Sequence, residues 1–120
     1  MRHEIFVYGT LKRGFGNHHY LRSAKFIATG RTKNKYALYA AGIPFVVKDN
    51  QVTNIIGEIY EVDDATLAII DSLEGHPDFY KRMQVPIIAN DQDQTSIVAW
   101  LYFCSEPRGE LVPSGIYTRQ

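Results

Sequence analysis

Cys104 is the only cysteine in the chain, so no internal disulfide and no cysteine-cluster zinc site can form, a usage that suits a reducing cytoplasm. An excess of one charge is lacking too, since thirteen Lys and Arg balance thirteen Asp and Glu. Without a basic run there is none of the sequence-independent phosphate attraction that nucleic-acid binding draws on, so no nucleic-acid partner is expected. The apolar run near the N-terminus is too short for a signal-peptide core or a membrane span, and no membrane partner is expected. Repeats, low-complexity tracts and interdomain linkers are also missing. With 120 residues, 45% of them apolar, the chain can bury one core and not two. Residues 1–120 therefore read as one domain, a monomer by default, and any chemistry must fit in a single cavity.

What is present is a series of short strand-like runs. Glu4 to Tyr8 is apolar, rich in strand formers and ended by Gly9. Phe26 to Thr32, Lys35 to Ala40 and Pro44 to Lys48 read as three more, and Val52 to Val62 as a clearer one, whose Gly57 permits a bulge or a close approach. At Asp63 the period changes. Asp63 is a good N-cap, Asp64 suits the first turn, and a helix runs to about Glu74, where Gly75 and Pro77 stop it. Asn17 to Leu21 is a second, shorter helical stretch capped by Asn17. Tyr80 to Ala89 and Ser96 to Phe103 are strands joined by the polar loop Asn90 to Gln94, and residues 103–120 are expected to be mostly irregular. Six or seven short strands with one or two helices predict a compact α+β domain, a small mixed β-barrel with helices against it, because closure removes exposed edges.

Two places carry chemistry. The first is the turn Tyr8-Gly9-Thr10-Leu11-Lys12-Arg13-Gly14, which follows the first strand. Glycine tolerates positive φ and close approach, so the amides of Gly9, Thr10 and Leu11 can point into one concavity that suits a carboxylate. A plain connecting loop is the competing reading. Phosphate motifs do not fit: Gly9, Gly14 and Gly16 lack the dinucleotide spacing, and Gly14 is followed by Phe15 and Gly16 rather than by Lys and Ser or Thr.

The second is Glu74. Leu67, Ile70 and Glu74 share one helix face at i, i+3 and i+7, with Leu73 beside them. A carboxylate there is pushed toward neutrality by burial and by the negative end of the helix dipole, as a general base requires. Rotation of the last turn into solvent is the alternative that helix geometry leaves open. Glu58 or Glu61 could also turn inward, whereas Asp71 and Asp78 read as surface or capping residues. His18 and His19 diverge, and His76 with Asp78 lacks a third ligand, so no metal site is expected. No G-x-S-x-G elbow is present and no histidine base aligns with Cys104, which reads as a core residue at a strand end. Trp100, Tyr102 and Phe103 read as core and wall, with alternation able to put Tyr102 in a cavity.

The turn and the helix end together resemble a known family. Tyr8 to Gly14 with Asn17 and His18 is similar to the opening signature of the gamma-glutamylcyclotransferase-like proteins. Gly57-Glu58-Ile59-Tyr60-Glu61-Val62-Asp63, followed by Leu67, Asp71, Glu74, Pro77, Tyr80 and Arg82, matches the second signature in order and spacing. The branch it most resembles is that of the gamma-glutamylamine cyclotransferases and their short bacterial and plant relatives, across residues 4–103. The resemblance implies a mixed barrel of about six strands whose cavity opens beside the first turn. Tyr8, Gly9, Thr10 and Leu11 would hold the glutamyl part of a small-molecule γ-glutamyl substrate, and Glu74 would be the catalytic acid/base. Tyr80 would line the pocket, Ile43-Pro44-Phe45 would form its edge, and Tyr117 receives no role. The implied reaction releases 5-oxoproline and a free amine or amino acid, with no metal or organic cofactor. A pocket-bearing binding or regulatory domain without turnover is the alternative.

Overall fold

The computed structural model describes residues 1–118. Seven strands and one α-helix follow in the order β1 (Arg2–Val7), β2 (Lys25–Ala40), β3 (Pro44–Val47), β4 (Thr53–Asp63), α1 (Asp64–Glu74), β5 (Tyr80–Ala89), β6 (Ser96–Cys104) and β7 (Glu110–Leu111), with a 3-10 turn at His18–Leu21. Five strands pair in the order β2-β4-β1-β6-β5, and Gly30–Thr32 of β2 pairs back onto Ile87–Ala89 of β5. The result is a closed five-stranded barrel. It is mixed because β1 and β6 run parallel, with Ile5 opposite Trp100, while the other neighbours are antiparallel. β3 and β7 lie outside it on the far half of β2.

Phe26 to Thr32 and Lys35 to Ala40, expected as separate strands, are one sixteen-residue strand with a register shift between Arg31 and Lys35. Gly30 stays in the ladder opposite Gly57, no proline interrupts the chain there, and side chains replace the missing ladder bonds between Arg31 and Lys35. Thr32 Oγ1 donates to the Asn34 carbonyl and accepts from Ile55 N, while Asn54 Nδ2 donates to the carbonyls of Thr32 and Lys33. This bulge bends β2, so its first half closes the barrel and its second half carries β3 and β7.

Period-two alternation divides the apolar residues between two cores. Phe6, Leu38, Ile55, Ile59, Ile87 and Leu101, from all five barrel strands, fill the interior. Ile5, Val7, Tyr60 and Val62 face the other way and meet Leu67 and Ile70 of α1. The Asp63 carboxylate caps α1 by accepting from Thr66 N at 2.8 Å, and Gly75 ends it at φ 67°. Helix α1 is thus laid across the barrel wall with its last residue at one end of the barrel.

The tail is more tied down than its composition suggested. Beyond the two-residue strand β7, Tyr117 is buried, its hydroxyl donates to the Gly42 carbonyl at 3.0 Å, and its own carbonyl accepts from Lys12 Nζ at 2.8 Å. Lys12 is itself buried, and burial lowers its pKa. Among the described residues no helix is long and apolar enough to cross a membrane.

Gly57 marks the tightest strand contact beside the cavity, because a Cβ there would overlap the Val7 carbonyl oxygen and the Phe6 ring. Replacing Gly57 by Ala is expected to destabilise the fold by about 1–3 kcal/mol in chemical denaturation, the usual cost of overpacking, with no change in the unfolding slope.

Candidate active site

Strand β1 ends at Val7 and the chain leaves the barrel at the same end where α1 stops. Between the two lies a cavity of about 190 Å³. One side is the segment from Phe6 to Leu11 with Asn17, the other is Leu73, Glu74, Phe79 and Tyr80, and Ile43, Pro44 and Tyr102 complete it. All six residues singled out from the sequence, Tyr8, Gly9, Thr10, Leu11, Glu74 and Tyr80, therefore meet around one space. Ile43 and Pro44 join them, whereas Phe45 belongs to the core and stacks on the Tyr80 ring.

Glu74 is the chemically distinctive group. Burial raises its carboxyl pKa from the ordinary 4.5 to about 7. Of the four ionisable residues in the lining, the other three are tyrosines whose hydroxyl pKa values are all raised, by burial first. Each tyrosine also spends its proton on the protein. Tyr8 donates to the Tyr102 carbonyl at 2.7 Å, Tyr80 to the Pro44 carbonyl at 2.6 Å, and Tyr102 to Asp71 Oδ1 at 2.6 Å. Glu74 is thus the one lining group able to exchange a proton near neutral pH.

The turn is held open by its neighbours. Asn17 was expected to cap the helical stretch after it, but its side chain makes no cap bond. Its Nδ2 instead donates to Thr10 Oγ1 at 2.9 Å, and its amide donates to the Thr10 carbonyl at 3.0 Å. His18 Nδ1 lies 2.9 Å from the Leu11 carbonyl, and the Leu11 side chain is in the second core. Among the described residues nothing accepts from the amides of Gly9, Thr10 and Leu11. Unpaired amides are costly unless a ligand or water meets them.

Gly9 serves the site differently from the sequence expectation. Its φ is not positive, and a Cβ would overlap the Pro44 ring, so glycine is required by close approach of the opposite wall.

Other expectations shift as well. Glu58 accepts from Arg13 N at 3.0 Å and from the Tyr60 hydroxyl at 2.9 Å, outside the cavity lining. Asp71, read as surface or capping, is half-buried, bridged by Arg82 at 2.8 and 3.1 Å and by Tyr102. Phe79 and Asn17 joined the lining unforeseen; the aromatic after the helix stop was the only signal for the former. Among the described residues no three His, Cys, Asp or Glu side chains gather closely enough to hold a metal ion.

This geometry can be set beside known proteins. The sequence profile of the gamma-glutamyl cyclotransferase, AIG2-like family matches residues 5–119. The chain belongs to that family. A Methanocaldococcus jannaschii protein provisionally named gamma-glutamylcyclotransferase is 53% identical over 114 residues, covering 94% of this chain and 93% of its own. The human gamma-glutamylaminecyclotransferase is 42% identical over 87 residues, 65% of this chain and 57% of that protein. The crystal structure of a mouse AIG2-like protein superposes with a TM-score of 0.77 at 33% identity, over 85% of this chain and 76% of that one. The AIG2-like barrel is therefore shared.

In this AIG2-like chain Glu74 couples stability to pH. Its folded pKa is raised, so the unfolded chain loses its proton first, and stability falls as pH rises from about 4.5 to about 7 and then levels off. The loss amounts to at most about 3–4 kcal/mol. Glu74→Gln is expected to abolish this fall and to leave the variant more stable than the parent at pH 8, as read by denaturant titrations at pH 5 and pH 8.

Proposed function

We propose that this chain is a gamma-glutamyl cyclotransferase that cleaves a γ-glutamyl amine or γ-glutamyl amino acid to 5-oxoproline and the free amine. The observation that carries the reading is a carboxyl poised at about 7 that lines the same small cavity as Gly9, Thr10 and Leu11, whose amides have no acceptor among the described residues. Family membership and the names of the M. jannaschii and human relatives support it.

The substrate holds its own nucleophile, so the enzyme's task is to fold it and move protons. The amides of Gly9, Thr10 and Leu11 receive the α-carboxylate or the developing oxyanion, with Asn17 fixing the turn through Thr10. Ionised Glu74 takes a proton from the α-ammonium. The freed amine attacks the γ-carbonyl carbon and forms the ring C–N bond. As the tetrahedral centre collapses, the bond to the leaving nitrogen breaks while protonated Glu74 gives that nitrogen its proton. Glu74 then takes the second proton from the ring nitrogen and passes it to the departing amine, which leaves as its ammonium ion. No water and no redox partner enter the balance. The rings of Tyr8, Tyr80 and Tyr102 wall the space, and their hydroxyls, already engaged, keep it shaped. The glutamyl part fits within about 190 Å³, which leaves the leaving group at the rim formed by Ile43, Leu73 and Phe79. A cytoplasmic setting is consistent with the lone, buried Cys104.

The test is release of 5-oxoproline from a panel of γ-glutamyl dipeptides, γ-glutamyl-ε-lysine and glutathione. At least one member is expected to turn over, and inertness toward all of them would leave a binding domain as the reading. With the active member, Glu74→Gln is expected to lower kcat roughly 100-fold or more while circular dichroism stays unchanged. Because the base must be ionised, kcat/KM is expected to climb about tenfold per pH unit below an inflection near 7.

A further inference from the structure

The segment that brings Glu74, Phe79 and Tyr80 to the cavity is closed at its base by a single ion pair. Asp71 precedes Glu74 by three residues, and Arg82 follows Tyr80 by two. The Arg82 guanidinium meets the Asp71 carboxylate at both oxygens, Nε to Oδ1 at 2.8 Å and Nη2 to Oδ2 at 3.1 Å. A bidentate pair fixes orientation as well as distance. The Tyr102 hydroxyl adds a third bond to Oδ1 at 2.6 Å, and the guanidinium lies 4.1 Å from the Trp100 ring centre. Main-chain bonds reinforce the same base. The Asp71 carbonyl accepts from Gly75 N and, at 2.9 Å, from His76 N, while Arg82 N donates to His76 Nδ1 at 3.2 Å.

Tyr102 also reaches the opposite wall. Its carbonyl accepts from the Tyr8 hydroxyl, next to the turn that carries the free amides. One residue of β6 is therefore bonded to both halves of the site. We propose that Asp71, Arg82 and Tyr102 form a clasp of positioning residues that holds the end of α1 against β5 and β6, so that Glu74 stays out of water and at a fixed separation from the Gly9–Leu11 turn.

The charge balance of the clasp fits this role. Burial disfavours the Asp71 carboxylate, and the hydrogen bonds from Arg82 and Tyr102 outweigh it and hold its pKa below the ordinary value. The clasp thus stays ionised while Glu74 titrates. The ionisable side chains that feel Glu74 are Tyr8 from the turn after β1, Tyr80 from β5 and Tyr102 from β6, all neutral over that range. His76 and Arg82 sit beside Asp71 rather than in the cavity lining.

The inference rests on the proposed reaction, and the test reads it in two ways. Tyr102→Phe changes no charge and keeps the carbonyl that holds Tyr8. Arg82→Lys keeps the charge and loses the fork, and Arg82→Gln loses both. For each, Glu74 is titrated by carbon NMR of its side-chain carboxyl, and kcat, KM and the acid limb of kcat/KM are measured. Loosening the clasp lets water in, so the Glu74 pKa is expected to move down from about 7 toward 4.5, least in Tyr102→Phe, further in Arg82→Lys and furthest in Arg82→Gln. The limb moves with it, and kcat falls about tenfold in Tyr102→Phe with KM within about twofold. Lower melting temperatures with an unmoved Glu74 titration and unchanged kcat would overturn the proposal and leave the clasp a structural tie only. A shifted titration in a protein that turns over no γ-glutamyl compound would keep the clasp and remove the enzyme reading instead.

Discussion

From Ile5 to Val7, strand β1 is buried on both faces, and it is paired on both edges; the rest of the site follows from that confinement. Antiparallel β4 on one side and parallel β6 on the other leave it no free edge. Phe6 points into the barrel, while Ile5 and Val7 point to the helix. A register slip of one residue would exchange those faces and expose both cores at once, so the register is strongly specified. The chain therefore has one place to leave, the barrel end. The turn that follows must run across the opening, where its amides have no strand to pair with.

The same packing creates the energetic conflict on which the proposed chemistry depends. Leu67 and Ile70 anchor α1 to the wall through β1 and β4, and helical spacing then carries Glu74 into the cavity whatever its charge prefers. The protein accepts a destabilising carboxylate because the apolar anchor outweighs it. A raised pKa is thus a consequence of where the helix stops, and Gly75 fixes that stop.

The sequence made the backbone plan legible wherever one local rule acted alone. Asp63 and Gly75 bounded α1 as expected, an apolar run of strand formers ended by Gly9 found β1, and two such runs joined by a polar loop found β5 and β6. Legibility ended where distant residues replaced a local signal. The bend in β2 is made by Thr32 and Asn54, twenty-two residues apart, with Asn54 inside strand β4. Asn17 looked like a cap, yet its side chain is taken by Thr10. Asp71 looked like a surface residue because the partners that bury it, Arg82 and Tyr102, lie on two later strands. The convergence of Glu74 with the Tyr8–Leu11 turn was read from resemblance, and no spacing in the chain encodes it.

Gly9 shows how closely the two walls are matched. Its conformation is one that any residue could adopt, so the requirement for glycine comes from Pro44 alone. Pro44 in turn presents its carbonyl to the Tyr80 hydroxyl and starts β3, which is paired to the far half of β2. The neighbouring Gly42 carbonyl is held by Tyr117, whose own carbonyl takes the Lys12 ammonium from the far end of the turn. A path of short contacts therefore runs from the amide turn through Gly9 to Pro44 and Tyr80, and returns from Gly42 through Tyr117 to Lys12. With both walls tied in this way, widening the cavity at one point loads hydrogen bonds on every side of it. In the proposed reaction, rigidity of the opening rather than any single contact is what would fold a flexible γ-glutamyl group into a ring-closing shape.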